Sequence, residues 1–332
     1  MSELFQTRGE GKRNVVVTGG SGMAGSAVVR ALSRFGGFNI KVISRSNQLL
    51  GFNNRLFEIK PFDLLEPNGS KNPFEGAEAA VLCAAETVGA GGGNQHNFDQ
   101  FLVNARIDLN SLSLAAKAGV EKIVYVGTAS SYQDHAGYIS EDELAWEKSP
   151  NISHFGVGWS KRVAEQFCNL LEKEKGIEFA ILRLANIYGP LAKFDPEKSN
   201  FIPALVRKAV DKLDPFPVWG SADIKRDILY VDDFASAVIS CLCKSELGHT
   251  VLNIGSGKVI SVGEVVDFVL KAAGHNPKKI EYQHALKSPL LFRGLDCKKA
   301  EKELGWVSTT SVEIGVKKIT EWWIENREIW TR

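Results

Sequence analysis

Val15-Val16-Val17-Thr18 is an apolar β-type run that passes through Gly19, Gly20, Gly22 and Gly25 into a helix-forming stretch, Ser26 to Phe35. Strand, glycine-rich turn and helix in that order constrain the fold more than any other part of the chain, and they match the build of a dinucleotide pyrophosphate site. Gly19 takes the tight turn at the strand end, Gly22 lets backbone approach the phosphates, and Gly25 lets helix pack closely on strand. Ser21 and Met23 complete the loop, where the first amides of the helix face an anion.

Strand-like and helix-like segments alternate through the first half, which predicts a parallel sheet covered on both faces. Strands are expected at 14–18, 40–44, 56–59, 79–84, 122–127 and 179–184, with helices at 98–118 and 158–175 that stop at Gly119 and Gly176. After Pro190 the pattern loosens, with prolines at 196, 203, 215 and 217 and helices near 204–212, 262–273 and 312–329. Residues 227–230, a helix over 231–244 and residues 251–254 read as a return to the sheet. The expected organisation is a flexible tail (1–13), a dinucleotide-binding domain (14–186 and 223–255) and a smaller lobe (187–222 and 256–332). The fold class is α/β, a Rossmann-type doubly wound parallel sheet with a smaller C-terminal substrate-binding lobe.

Forty Lys+Arg against 39 Asp+Glu leave a net charge of +1, which gives no reason to expect nucleic acid or an anionic membrane as partner. The first residues hold no apolar run of signal-peptide length and no segment approaches a membrane span, so a cytoplasmic protein is expected. Five scattered cysteines show no zinc or disulfide spacing and read as reduced thiols, and no metal is expected.

An NAD site usually ends its second strand with an acidic residue for the ribose hydroxyls, whereas a 2′-phosphate wants a cation there. Here that position reads Ser44-Arg45-Ser46. A guanidinium offers bidentate phosphate recognition, so Arg45 and Ser46 favour NADP over NAD. Asp63 can accept from the adenine amino group, and the small Ala84-Ala85 turn lets the cofactor pass close to the backbone.

Three strings together carry a family resemblance: the glycine loop 18–25, Trp159-Ser160-Lys161, and Leu184-Ala185-Asn186-Ile187-Tyr188-Gly189-Pro190. With them the chain resembles the extended short-chain dehydrogenase/reductase family, and within it the GDP-fucose synthase type of nucleotide-sugar enzyme. The likeness runs on through 84–89, 126–132, 199–205, 219–221, 226–233 and 304–306. It implies catalysis by a Ser or Thr, a Tyr and a Lys, with the tyrosine exchanging a proton while hydride moves to or from the nicotinamide. By position Thr128 matches the Ser/Thr and Lys161 the lysine, which would also hydrogen-bond the nicotinamide ribose. The resemblance assigns Arg226 and Arg293 to the substrate diphosphate, with Asn186 and Asn200 nearby, and implies a homodimer built on helices 98–118 and 158–175.

The tyrosine should stand four residues before Lys161, and that residue is Val157. Valine exchanges no proton, and losing general acid–base help typically costs about 100- to 10,000-fold in rate. The epimerisation pair that GDP-fucose synthases use, a Cys and a His, is Ser130 and Leu191 here, so 3,5-epimerisation is not carried over. Three accounts stay open: a substitute acid (Tyr132, Tyr138, His154 or water), a reaction that needs no phenol, or a protein that binds NADP and a nucleotide sugar without chemistry. The expected activity is an NADP(H)-dependent oxidoreductase of a nucleotide-linked sugar, with a 4-keto sugar reductase foremost. A 4,6-dehydratase is weaker, because Ala129 and Ser130 supply no acidic group after Thr128.

Overall fold

The computed structural model describes residues 12–45, 56–68, 71–87, 97–283 and 292–330. In chain order the first half runs β1 (Arg13–Thr18), α1 (Met23–Phe35), β2 (Phe38–Ser44), β3 (Glu58–Pro61), β4 (Ala79–Leu82), α2 (Asn97–Lys117), β5 (Lys122–Val126), β6 (Gly137–Ile139), α3 (Phe155–Lys175) and β7 (Glu178–Leu184). Then follow β8 (Asn186–Tyr188), α4 (Phe201–Val210), β9 (Phe216–Trp219), β10 (Lys225–Tyr230), α5 (Val231–Cys243), β11 (Thr250–Ile254), β12 (Val259–Ser261), α6 (Val262–Ala273), β13 (Ile280–Gln283), β14 (Phe292–Leu295), α7 (Lys298–Leu304) and α8 (Val312–Asn326).

Seven parallel strands form the main sheet in the order β11-β7-β5-β4-β1-β2-β3. The winding reverses between β1 and β4, the place where such sheets open a crevice at their C-terminal edge. Alternation along β1 sends Val15 and Val17 into a core shared with Val28 and Leu32 of α1 and Phe234 of α5. Val16 enters the opposite core with Leu112 of α2, Tyr125 of β5 and Cys168 of α3. Burial on both faces is why these strands read as continuous apolar runs.

A third core gathers α4, α6 and α8 around β9 and β10, with Phe194 stacked on Trp323 at a centroid distance of 4.0 Å. The sequence pattern places 227–230 back in the main sheet, whereas the structure puts them in another. β10 pairs with β8, β12 and β14 in a second sheet, and the chain rejoins the first through α5 and β11. Apolar periodicity reports burial and is silent on which sheet buries a strand. The expected tail is also shorter at its inner end: Arg13 belongs to β1, its amide donating to Gly37 O at 3.0 Å and its guanidinium to Leu242 O at 2.9 Å. All five cysteines are free thiols, with Cys168 and Cys241 buried.

Candidate functional site

Gly19 sits at φ +68°, a conformation that favours glycine, and a Cβ there would lie 2.8 Å from Ala84 Cα. The ends of β1 and β4 are tied at this point, because Thr18 Oγ1 accepts from the amides of Cys83 (3.0 Å) and Ala84 (3.1 Å). Gly25 faces the turn from the first coil of α1, where a Cβ would collide with Gly19 O and come within 2.9 Å of Gly20 N. Gly22 is the helix N-cap with no side-chain cap, which leaves the first amides of α1, beside Ser21 and Met23, facing the crevice. A cradle this close to backbone and this open at the helix start fits a dinucleotide pyrophosphate. Gly20 is a glycine whose purpose the sequence reading missed: a Cβ on it would strike Val42 of β2.

Around this turn, Arg45 is exposed at the end of β2, and Ser46 lies outside the described residues. Asp63 is exposed, one carboxylate oxygen accepting from Leu65 N at 2.9 Å. Ala84 is half-buried and Ala85 exposed at the crevice edge.

Beyond β5 the chain makes a short 3-10 turn whose cap is Thr128, its Oγ1 accepting from Ser130 N at 3.1 Å. That hydroxyl keeps its proton for another acceptor. Thr128, Ser130, Asn186, His154, Arg226 and Arg293 all line one cavity. Arg226 of β10 and Arg293 of β14 are register partners on adjacent parallel strands, so sheet geometry puts both guanidiniums on the same face. Burial, then Arg293, pushes Arg226 down to about 10, and burial also lowers Arg293 against the pull of Asp134 at 3.8 Å. Two partly desolvated cations side by side have the chemistry to accept a diphosphate. Asn200, expected beside them, instead caps α4 in an exposed position and is not among the cavity-lining residues.

Of the three side chains considered as replacement acids, Tyr132 lines the cavity but its hydroxyl is already engaged, donating to Asn253 Oδ1 at 2.7 Å and accepting from Arg183 at 3.1 Å. Tyr138 is exposed and edge-on to Phe292. His154 lines the cavity, half-buried just before α3, and its imidazole is lowered by burial and by the cations Arg293 and Arg226, with Asp134 opposing. Val157 is half-buried one turn further on.

Lys161 lies elsewhere than a free cavity cation would. Its Nζ is 3.0 Å from each carboxylate oxygen of Asp108 on α2, and Tyr125 donates to the same carboxylate at 2.9 Å. Burial pushes the Asp108 carboxyl up, opposed by the charge of Lys161 and by the two hydrogen bonds. The sequence reading missed Asp108, although a signal was present: it falls on the stripe of buried Ala105, Leu112 and Ala115, where a lone carboxylate needs a partner.

The glycine turn at a topological switch point and the cavity beside it define an α/β protein of the Rossmann type. Residues 15–255 match the NAD dependent epimerase/dehydratase family, and the chain belongs to that family. It is 28% identical over 333 residues to the GDP-L-fucose synthase of Sinorhizobium fredii, covering 96% of this chain and 97% of the relative. A putative UDP-glucose 4-epimerase of Methanocaldococcus jannaschii is 29% identical over 321 residues, covering 94% and 99%. Among solved structures, MoeE5 in complex with UDP-glucuronic acid and NAD superposes with a TM-score of 0.78 at 26% identity, covering 95% of this chain and all of that one. A GDP-6-OMe-4-keto-L-xylo-heptose reductase from C. jejuni shares the fold with a TM-score of 0.82 at 22% identity, covering 96% and 100%. Among the described residues no helix is long and apolar enough to cross a membrane, and no cluster of His, Cys, Asp or Glu has the makings of a metal site.

Proposed function

We propose that the protein is a cytoplasmic NADP(H)-dependent oxidoreductase that reduces a nucleotide-linked 4-keto sugar. The observation that carries this reading is the Arg226–Arg293 register pair, which opens into the same cavity as Thr128. The glycine turn holds the pyrophosphate of the dinucleotide, Arg45 and Ser46 its 2′-phosphate, Asp63 the adenine, and Ala84, Ala85 and Lys161 the nicotinamide half. When bound, the dinucleotide supplies hydride. Arg226 and Arg293 hold the sugar diphosphate with Asn186 beside them. Residues 187–222 and 256–332 form the smaller lobe, to which Arg293 and Asn200 belong, and Asn186 and Arg226 reach the cavity from the dinucleotide domain. Thr128, whose oxygen is already occupied by Ser130 N, turns its proton to the sugar carbonyl, and Ser130 lies next to it. The test is incubation with NADPH and a panel of GDP-, UDP-, dTDP- and CDP-linked 4-keto sugars; no oxidation of NADPH with any of them defeats the reading.

His154 supplies the proton, and substrate loads it. In the free protein burial, then the charges of Arg293 and Arg226, lowers the imidazole from its ordinary value, and a diphosphate between the two arginines offsets their part of that effect. Its lowered pKa also means that the unfolded chain protonates first as pH falls through 6.5, so stability drops from there toward the folded value. Calorimetry at mildly acidic pH in buffers of different ionisation enthalpy should show proton uptake on binding of a nucleoside diphosphate sugar, and His154→Gln should abolish it. Unchanged uptake in the variant assigns the proton elsewhere.

The homodimer is placed on α2 and α3, which leave Phe98, Leu102, Val163 and Leu170 exposed. An apolar face of this kind is the signature of a protein contact. Leu102→Lys with Val163→Lys should shift sedimentation from dimer to monomer while the thermal transition stays cooperative.

Val157 and the Asp108–Lys161 pair favour a second reading, a binding protein that retains cofactor and nucleotide-sugar sites without turnover. Tight binding of both ligands with no reaction across the panel selects it.

A further inference from the structure

Lys161, Asp108 and Tyr125 form a closed group with relative exposures of 4%, 3% and 0%, so water neither screens the pair nor competes for it. Asp108 presents both oxygens to the ammonium at 3.0 Å and is itself held by the Tyr125 hydroxyl at 2.9 Å. The ammonium also lies over the Tyr125 ring, 5.0 Å from its centroid. A carboxylate in direct contact makes the pair neutral as seen from a third point, and the field there falls from that of a charge to that of a dipole. The other titratable groups around it leave this balance intact. Cys83, on the β4 side, is a thiol pushed up by burial to about 12, with Lys161 opposing. Cys168 on α3 is a thiol raised well above its ordinary value by burial, and Glu165, one turn after Lys161, is paired with Arg183. One of the three ammonium protons remains beyond those that two carboxylate oxygens take.

We propose that Asp108 is a positioning residue that turns Lys161 into a fixed, charge-neutralised hydrogen-bond donor beside the dinucleotide, so that the site holds a cofactor ribose and is not equipped to ionise a phenol at position 157. The placement beside a dinucleotide rests on the proposed function; the neutralisation does not. It accounts for two features of α3 together: the lysine is retained, while one turn earlier Val157 offers no proton for it to influence. A lysine whose work is to donate to ribose hydroxyls benefits from a fixed direction and loses nothing when its long-range field is cancelled.

The test places a phenol where the pair would act on it. Val157→Tyr and the double variant Val157→Tyr/Asp108→Asn are titrated without cofactor, following the ultraviolet phenolate band as a difference from the same protein with Val157. With Asp108 present the added phenol should ionise at or above the ordinary tyrosine value of about 10. With asparagine there it should ionise about one unit lower, a tenfold shift in the proton equilibrium. A phenol that ionises toward neutrality with Asp108 in place overturns the proposal, and so do equal values in the two variants. Should the double variant fail to fold, the Val157→Tyr titration decides alone, a value at or above the ordinary one supporting the proposal and a lowered one overturning it. Fluorescence binding of NADPH to the unsubstituted chain is measured alongside, so that failure of the cofactor reading is seen separately from failure of the neutralisation.

Discussion

Gly25→Ala should weaken NADPH binding by roughly 10- to 100-fold and lower the melting temperature, whereas Gly22→Ala should weaken binding with little loss of stability. The two glycines share one loop and differ in what surrounds them. A Cβ on Gly25 meets Gly19 O and C and Gly20 N, all backbone of the turn itself, so the turn and α1 must separate. Overpacking of this kind costs about 1–3 kcal/mol, and here the strain falls on the amides that would hold the pyrophosphate. A Cβ on Gly22 meets a single protein atom, Gly19 O at 3.3 Å, and φ there is −84°, which any residue adopts. What that methyl obstructs is the space where backbone and phosphate must approach. NADPH fluorescence titration and thermal melting of both variants check this, and an unaltered affinity in Gly22→Ala would remove the loop from the cofactor site.

Glu165→Ala should destabilise the fold by about 3–5 kcal/mol, the loss expected when one partner of a buried ion pair is removed and the other keeps its charge. Arg183 donates to both oxygens of Glu165, at 2.9 Å from Nη2 to Oε2, and both side chains are at most 4% exposed. The same guanidinium donates to Tyr132 Oη and Glu141 O, while Asn253 links Tyr132, Glu141 Oε1 and Ile139 O. This network ties β7, α3 and β11 to the segment from Thr128 to Glu141, which is one wall of the cavity. Denaturant unfolding should give the loss for Glu165→Ala, and the volume-matched Glu165→Leu/Arg183→Met should recover a large part of it, because no charge is then left alone. If the single substitution costs less than about 1 kcal/mol, the network does not hold that wall in place.

The site was unevenly legible in the sequence. Gly19, Gly22 and Gly25 announce themselves because a tight turn against a strand leaves no room for a side chain, and that demand is local. Thr128, Asn186, Arg226 and Arg293 were reached through the resemblance, and the structure brings all four to one cavity. Asn200 was placed by the same route and is not among the cavity-lining residues; it stands exposed at the N-cap of α4, where its side chain makes no capping hydrogen bond. Lys161 was also reached through the resemblance, as a cofactor lysine, but its partner, Asp108, lies 53 residues away on another helix. Contacts between helix faces depend on how α2 and α3 pack, and no local pattern encodes them.

The sequence by itself determined the doubly wound sheet, the glycine turn and the absence of a phenol at Val157, because each follows from periodicity, steric room or residue chemistry at one place in the chain. Only the tertiary structure decided that β10 stands in the second sheet and sets Arg226 beside Arg293, that of the two cavity-lining residues Tyr132 and His154 the tyrosine hydroxyl is bound to Asn253 and Arg183, and that Lys161 is paired with Asp108. These are matters of register and of packing between distant segments, and their energies arise when the segments meet and desolvate one another.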